Sequence, residues 1–173
     1  MDIKEYIADI PGFPKEGIIF RDVTPIMENP EVYKEITNLL AGYAKDEQAT
    51  VIIGPESRGF WFGIPVALQL DLPFVPVRKP GKLPRKTISE SYDLEYGQDT
   101  LCMHADSLKA GDKVFIIDDL MATGGTAQAM VKMVEKLGAK VVGAGFVIEL
   151  DELKGRDKLG NVPIYSLTHY EGE

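Results

Sequence analysis

Four short runs of consecutive apolar residues punctuate the chain: TVIIG at 50–54, PFVPV at 73–77, KVFII at 113–117 and KVVGAGFVIEL at 140–150. Unbroken apolar runs rich in β-branched residues fit strands that are covered on both faces, as in a parallel sheet. Elsewhere the spacing becomes helical. Asn29 and Pro30 supply a cap and a first-turn residue, and Val32, Ile36, Leu39, Leu40 and Tyr43 then recur on one face, which predicts an amphipathic helix over about 31–45. GFWFGIPVALQL separates the first two runs. TAQAMVKMVEKLG separates the last two, with Ala127, Met130, Val131, Val134 and Leu137 on one face and Gly138 as the stop. Strand, helix and strand in repetition predict an α/β sheet with right-handed crossovers.

Residues 78–99, RKPGKLPRKTISESYDLEYGQD, interrupt this rhythm with prolines, glycines and charges and show no sustained apolar period. The expectation there is a long functional loop inside one domain. The chain shows neither an internal repeat nor a low-complexity tract.

A length of 173 residues with 45% hydrophobic and 27% charged positions suits a single domain with a sizeable core. The net charge of -8 argues against binding to nucleic acid or to an anionic membrane, both of which need a basic face. One cysteine, Cys102, cannot form an internal disulfide, and His104 and His169 are too far apart in sequence to suggest a metal cluster. MDIKEYIADIPGF has no apolar signal core, and no stretch approaches the ~20 apolar residues of a membrane span, so a cytoplasmic protein is expected.

Within that acidic composition, the third apolar run leads directly into Asp118 and Asp119 and then into ATGGT, 122–126, at the entrance to a helix. Ligands of open α/β sheets bind at the carboxyl ends of strands, where the next helix presents unpaired N–H groups. Gly124 and Gly125 permit close backbone approach, and Thr123 and Thr126 add hydroxyls, so a phosphate monoester can be enclosed there without a lysine. Two adjacent carboxylates need partners if buried; vicinal sugar hydroxyls or a divalent cation would provide them. The plain alternative is that Asp118 caps the helix and the glycines only make a turn.

VFIIDDLMATGGT resembles the phosphoribosyl-pyrophosphate (PRPP) motif of the type I phosphoribosyltransferases, and the likeness extends from PGFPKEGIIFRD to LKGRDKLG and YSLTHYE, with adenine phosphoribosyltransferases as the nearest pattern. The resemblance implies a type I phosphoribosyltransferase fold: a mainly parallel sheet flanked by helices, a small hood over about 1–30 and a mobile loop over about 78–99. It implies that Asp118 and Asp119 hold the ribose hydroxyls and that Ala122, Thr123, Gly124, Gly125 and Thr126 hold the 5-phosphate. GPESRGFWFG resembles the family's pyrophosphate loop, which implies pyrophosphate contact by Arg58 and a cis peptide between Glu56 and Ser57; Glu56 stands where many relatives carry aspartate. Taken alone, Arg58 reads equally as a surface ion pair. The basic run with Arg78, Lys79 and Lys82 suits a diphosphate, although a solvated charge run is the ordinary explanation.

SYDLEYG resembles the family's catalytic loop, implying a catalytic role for Glu95 and loop closure by Tyr96; Tyr92 and Tyr96 also read as packing residues. GFPKEGIIFRD resembles an adenine-binding hood, implying a base site lined by Ile19, Phe20 and Arg21 and closed by Leu150; from the residues alone this segment is a buried edge. The implied activity converts adenine and PRPP to AMP and pyrophosphate with Mg²⁺, in a homodimer where Arg78 of one subunit reaches the neighbouring site. Another purine, such as xanthine or hypoxanthine, and a non-catalytic PRPP-sensing regulator are the alternatives. A P-loop is excluded by the lack of G-x-x-x-x-G-K-[ST], and GAGFVI has Ile148 where a dinucleotide fingerprint needs glycine.

Overall fold

The computed structural model describes residues 1–94 and 97–172. Its centre is a five-stranded sheet. The strands are β3 (Val51–Pro55), β4 (Phe74–Val77), β7 (Lys113–Met121), β8 (Lys140–Leu150) and β9 (Ile164–Tyr170), in the order β4-β3-β7-β8-β9. All four pairings are parallel. The apolar runs therefore become the buried strands expected of them, and β3 is buried at every position.

Alternate residues feed two cores. Val51, Ile53, Val114 and Ile116 pack with α4 (Gly125–Lys136) on one side of the sheet. Ile52, Phe115 and Ile117 pack with α2 (Pro30–Asp46) and α3 (Arg58–Leu70) on the other. The predicted cap of α2 is present: the Asn29 side chain accepts from the Val32 N–H at 3.3 Å, with Pro30 opening the first turn. Gly138 follows α4 at φ +83, the left-handed conformation that ends helices.

The stretch 78–99 differs from the loop expected of it. Thr87–Leu94 forms β5, which pairs antiparallel with β6 (Gly97–His104). In TISESYDL, Ile88, Glu90 and Tyr92 are half-buried while the residues between them are exposed. This is strand alternation, and it is hidden in the sequence because Glu90 occupies an inward position, where it pairs with Lys136 of α4 at 2.6 Å. At the N-terminus, β1 (Ala8–Pro11) and β2 (Ile19–Asp22) form a separate antiparallel pair, followed by α1 (Thr24–Glu28). Among the described residues, no helix is long and apolar enough to cross a membrane.

Candidate active site

Glycines allow the carboxyl ends of β3 and β7 and the start of α3 to approach closely. A Cβ at Gly54 would lie 2.7 Å from the Ile117 carbonyl oxygen, and one at Gly59 would lie 3.2 Å from Asp118 Oδ1. The start of α3 is thereby brought against the acidic pair. Asp118 and Asp119 do not sit beyond the strand, as the length of KVFII suggested; β7 runs through both to Met121. Nor does Asp118 cap the helix. The cap of α4 is Gly124, at φ 87, and no side chain bonds to the helix start, so its first amides are directed at whatever occupies the loop.

These elements enclose a cavity of about 390 Å³, lined among others by Arg58, Lys79, Tyr92, Asp118, Asp119 and residues 122–126. Its walls are chemically divided. Residues 122–126 and the first turn of α4 provide amides and hydroxyls. Asp118 and Asp119 provide carboxylate oxygens. Arg58 and Lys79 provide cations.

Each cation already has a carboxylate. Arg58 Nε lies 3.0 Å from Asp119 Oδ2, and Arg78 Nε lies 3.1 Å from Glu56 Oε1. Lys79 Nζ bonds to Asp99, which also accepts from the Tyr92 hydroxyl at 3.2 Å. The hydrogen bond from Lys79 holds the Asp99 carboxyl below the usual aspartate range, with further help from the Thr100 amide. An incoming polyanion must therefore compete with these carboxylates, and the basic run is less available than its composition suggests. Asp99→Asn should weaken the hold on Lys79 and change pyrophosphate affinity severalfold while leaving thermal stability nearly unchanged, because the pair is partly exposed. Calorimetric titration of pyrophosphate, alongside thermal unfolding, measures both.

Burial pushes the Asp118 carboxyl well above its ordinary range, and the Asp119 charge pushes in the same direction. Its Oδ1 accepts the Asp119 N–H at 2.8 Å. Below the ordinary aspartate value of 3.8, both folded and unfolded Asp118 hold the proton and burial carries no charge penalty. As pH rises, the unfolded chain ionises first, and stability declines until the folded group also ionises. Asp118→Asn keeps the accepting oxygen but cannot ionise. Its melting temperature should match that of the unsubstituted protein in acid and exceed it progressively towards neutrality, as read by unfolding scans across pH.

The cavity thus unites Arg58, Lys79, Asp118, Asp119, Ala122, Thr123, Gly124, Gly125 and Thr126. Arg78 stands behind this wall on Glu56, and Lys82 is exposed. Glu95 and Tyr96 lie outside the described residues. Of the expected base-binding residues, Phe20 reaches the site through Arg58, whose guanidinium carbon lies 5.1 Å from the ring centre. Ile19 is 37% exposed and Leu150 is buried at the end of β8. The Arg21 side chain turns away, pairing with Asp9 at 2.6 Å and covering the Tyr170 ring at 4.0 Å; a contribution from Arg21 to a base site is left to its backbone. The peptide between Glu56 and Ser57 is cis. Sequence reasoning overlooked Asp99, which sets Lys79, and Gly155, whose backbone touches the loop at Ala122 and Gly124. The sole hint of the latter is a glycine in the otherwise charged KGRDK.

The acidic pair offers the hard oxygen ligands that Mg²⁺ prefers, and Mg²⁺ characteristically uses one or two carboxylates together with substrate phosphates. A cavity with carboxylates beside an amide-lined loop fits such a shared ion.

Residues 22–162 match the phosphoribosyl transferase domain. An adenine phosphoribosyltransferase of Lactobacillus acidophilus is 55% identical over 172 residues, covering 99% of this chain and 98% of the relative. Among solved structures, the adenine phosphoribosyltransferase of Thermoanaerobacter pseudethanolicus superposes with a TM-score of 0.94 at 46% identity, covering 97% of this chain and 98% of that one. The Saccharomyces cerevisiae enzyme, solved with an imino-altritol bisphosphate and adenine, gives 0.91 at 41% identity, with 96% of both chains covered.

Proposed function

The chain belongs to the phosphoribosyltransferase family, and from that premise we propose that it is an adenine phosphoribosyltransferase of purine salvage, forming AMP and pyrophosphate from adenine and PRPP. The observation that carries the reading is the divided cavity: a loop of backbone amides and threonine hydroxyls at one end, two buried carboxylates in the middle and cations opposite. That arrangement fits a ribose bearing a 5-phosphate at one end and a diphosphate at carbon 1.

In this reading the amides of 122–126 hold the 5-phosphate, and Asp118 and Asp119 accept hydrogen bonds from the ribose hydroxyls. The C1–O bond to pyrophosphate breaks as the C1–N9 bond to adenine forms, through an oxocarbenium-like transition state, and the imidazole proton of adenine is released to water. Arg58 and Lys79 exchange their carboxylate partners for the departing phosphates, so charge neutralisation and positioning supply the catalysis. Bound Mg²⁺ would contribute further neutralisation of the pyrophosphate beside the acidic pair. Backbone groups of the hood at Ile19 and Arg21, with Phe20 and Leu150, would frame the base; donors and acceptors matched to the 6-amino edge are mismatched by a 6-oxopurine. A homodimer and a cytoplasmic setting belong to the same reading, the latter supported by a lone, buried Cys102; sedimentation equilibrium tests the former.

Incubation with PRPP and each purine base in turn, with pyrophosphate as the readout, tests the function directly. Adenine should be consumed in strong preference. Turnover of hypoxanthine or xanthine instead would reassign the base, and PRPP binding without turnover of any base would identify a sensor. Glu95→Gln should lower the single-turnover rate by about 10²-fold or more if Glu95 acts in the chemical step, with AMP affinity preserved. An unchanged rate would remove Glu95 from the chemistry.

A further inference from the structure

The loop 122–126 has no side-chain cap of its own and is shaped from behind. A Cβ at Gly124 would lie 2.5 Å from the Gly155 carbonyl oxygen, and a Cβ at Gly155 would lie 2.7 Å from the Ala122 oxygen and 3.2 Å from the Gly124 nitrogen. The Gly124 and Gly155 backbones therefore meet directly, with Met121 Cγ packed alongside at 3.0 Å from the same Gly155 Cβ position, and the position of Gly155 sets the position of the loop. The segment bearing Gly155 is irregular: Lys154 has φ 53 and short 3-10 turns lie on either side of it. Arg156 ties it directly to the sheet. The guanidinium donates to both carboxylate oxygens of Glu149, at 2.7 and 2.8 Å, and Glu149 also accepts from Ser166 of β9 at 2.7 Å. The side chain of Glu149, the penultimate residue of β8, is only 5% exposed.

We propose that Glu149 and Arg156 are a positioning pair for the 5-phosphate loop, fixing the Gly155 backbone that backs residues 122–126. Neither lines the cavity, so both act through Gly155. The inference rests on the reading of 122–126 as the phosphate site. Glu149, Asp151 and His169 also have ligand atoms within 4.8 Å of one another. The Arg156 fork already engages both Glu149 oxygens and adds positive charge, while His169 bonds to Asp151 at 2.8 Å, so the cluster is an ion-pair network in which a cation would have to displace arginine. Lysine cannot replace the fork, because one ammonium cannot present two parallel donors in a fixed plane.

The test is calorimetric titration of ribose 5-phosphate and of pyrophosphate into the unsubstituted protein, Arg156→Met, Arg156→Lys and the isosteric Glu149→Gln, with the KM for PRPP and for adenine measured in parallel. Arg156→Met should weaken ribose 5-phosphate roughly ten- to hundredfold and raise the KM for PRPP alike, with pyrophosphate affinity and the KM for adenine changing less than about threefold by the same reasoning. Arg156→Lys should recover only part of the loss, and Glu149→Gln, which retains the shape, should reproduce it in milder form if Arg156→Met fails to fold. A proportional loss of every ligand, or ribose 5-phosphate affinity unchanged in the folded variants, overturns the proposal. Failure of the unsubstituted protein to bind ribose 5-phosphate overturns the functional reading and this inference together, whereas normal binding there with unaffected variants removes the inference alone.

Discussion

Replacing Asp118 and Asp119 together with asparagine is expected to lower turnover of PRPP by about 10³-fold or more, the scale on which removing preorganised charge from a reacting centre is felt, while the protein stays folded. The two parts of this expectation have separate causes. Asparagine retains one accepting oxygen at each position but presents no negative charge to a sugar whose anomeric carbon becomes cationic. Folding tolerates the change because Asp118 is buried next to a like charge and gains by losing its own. The Arg58 ion pair lost at Asp119 joins a guanidinium 43% exposed to a carboxylate 5% exposed, so the substitution removes the buried charge and leaves the one that reaches solvent. The single Asp119→Asn variant adds a sharper discriminator. It leaves Arg58 without its carboxylate, so pyrophosphate should bind at least as well as before even as turnover collapses. Near-normal turnover in the double variant would reject the assignment of the acidic pair, and weaker pyrophosphate binding in the single variant would reject the exchange of partners at Arg58.

The sheet was legible because its strands are buried on both faces: VIIG and VFII leave no polar residue to obscure them, and the glycines at 124 and 125 mark the turn between β7 and α4. The β5–β6 pair was not legible, because one face of β5 meets α4 through Glu90 as well as Ile88 and Tyr92, and an inward glutamate looks polar until Lys136 is seen beside it. A similar limit applies to the site. Local motifs identify Asp118, Asp119 and 122–126, since each lies within one stretch of chain. They do not reveal that Asp119 is spent on Arg58 and Lys79 on Asp99, because these pairs join residues far apart in sequence and form only when the start of α3 meets β7 and the segment after β4 meets β6. In the hood, strand alternation sends Phe20 towards Arg58 and the Arg21 side chain to Tyr170, a division of directions that GIIFRD does not show and that leaves any base contact of Arg21 to its backbone.

Gly124→Ala should raise the KM for PRPP and the dissociation constant for AMP by about tenfold or more, with only a modest fall in melting temperature. The added methyl has two effects. The left-handed φ of +87 makes alanine costlier by about 1–2 kcal/mol, a change in stability worth roughly 2–8 °C in a domain of this size. The second effect is positional: the Cβ would lie 2.5 Å from the Gly155 oxygen, a backbone atom that cannot rotate away. Either the loop or the segment behind it must move, and a displacement approaching ~1 Å at a phosphate cradle can cost on the order of 10²-fold in turnover. Gly138→Ala separates the two. Gly138 has nearly the same φ, +83, but its Cβ would meet nothing closer than 3.9 Å, at Ala110. That variant should show a comparable loss of stability with KM and AMP affinity unchanged. If both variants lose AMP affinity equally, the effect is conformational strain transmitted through α4, and the close contact between Gly124 and Gly155 is not what shapes the phosphate site.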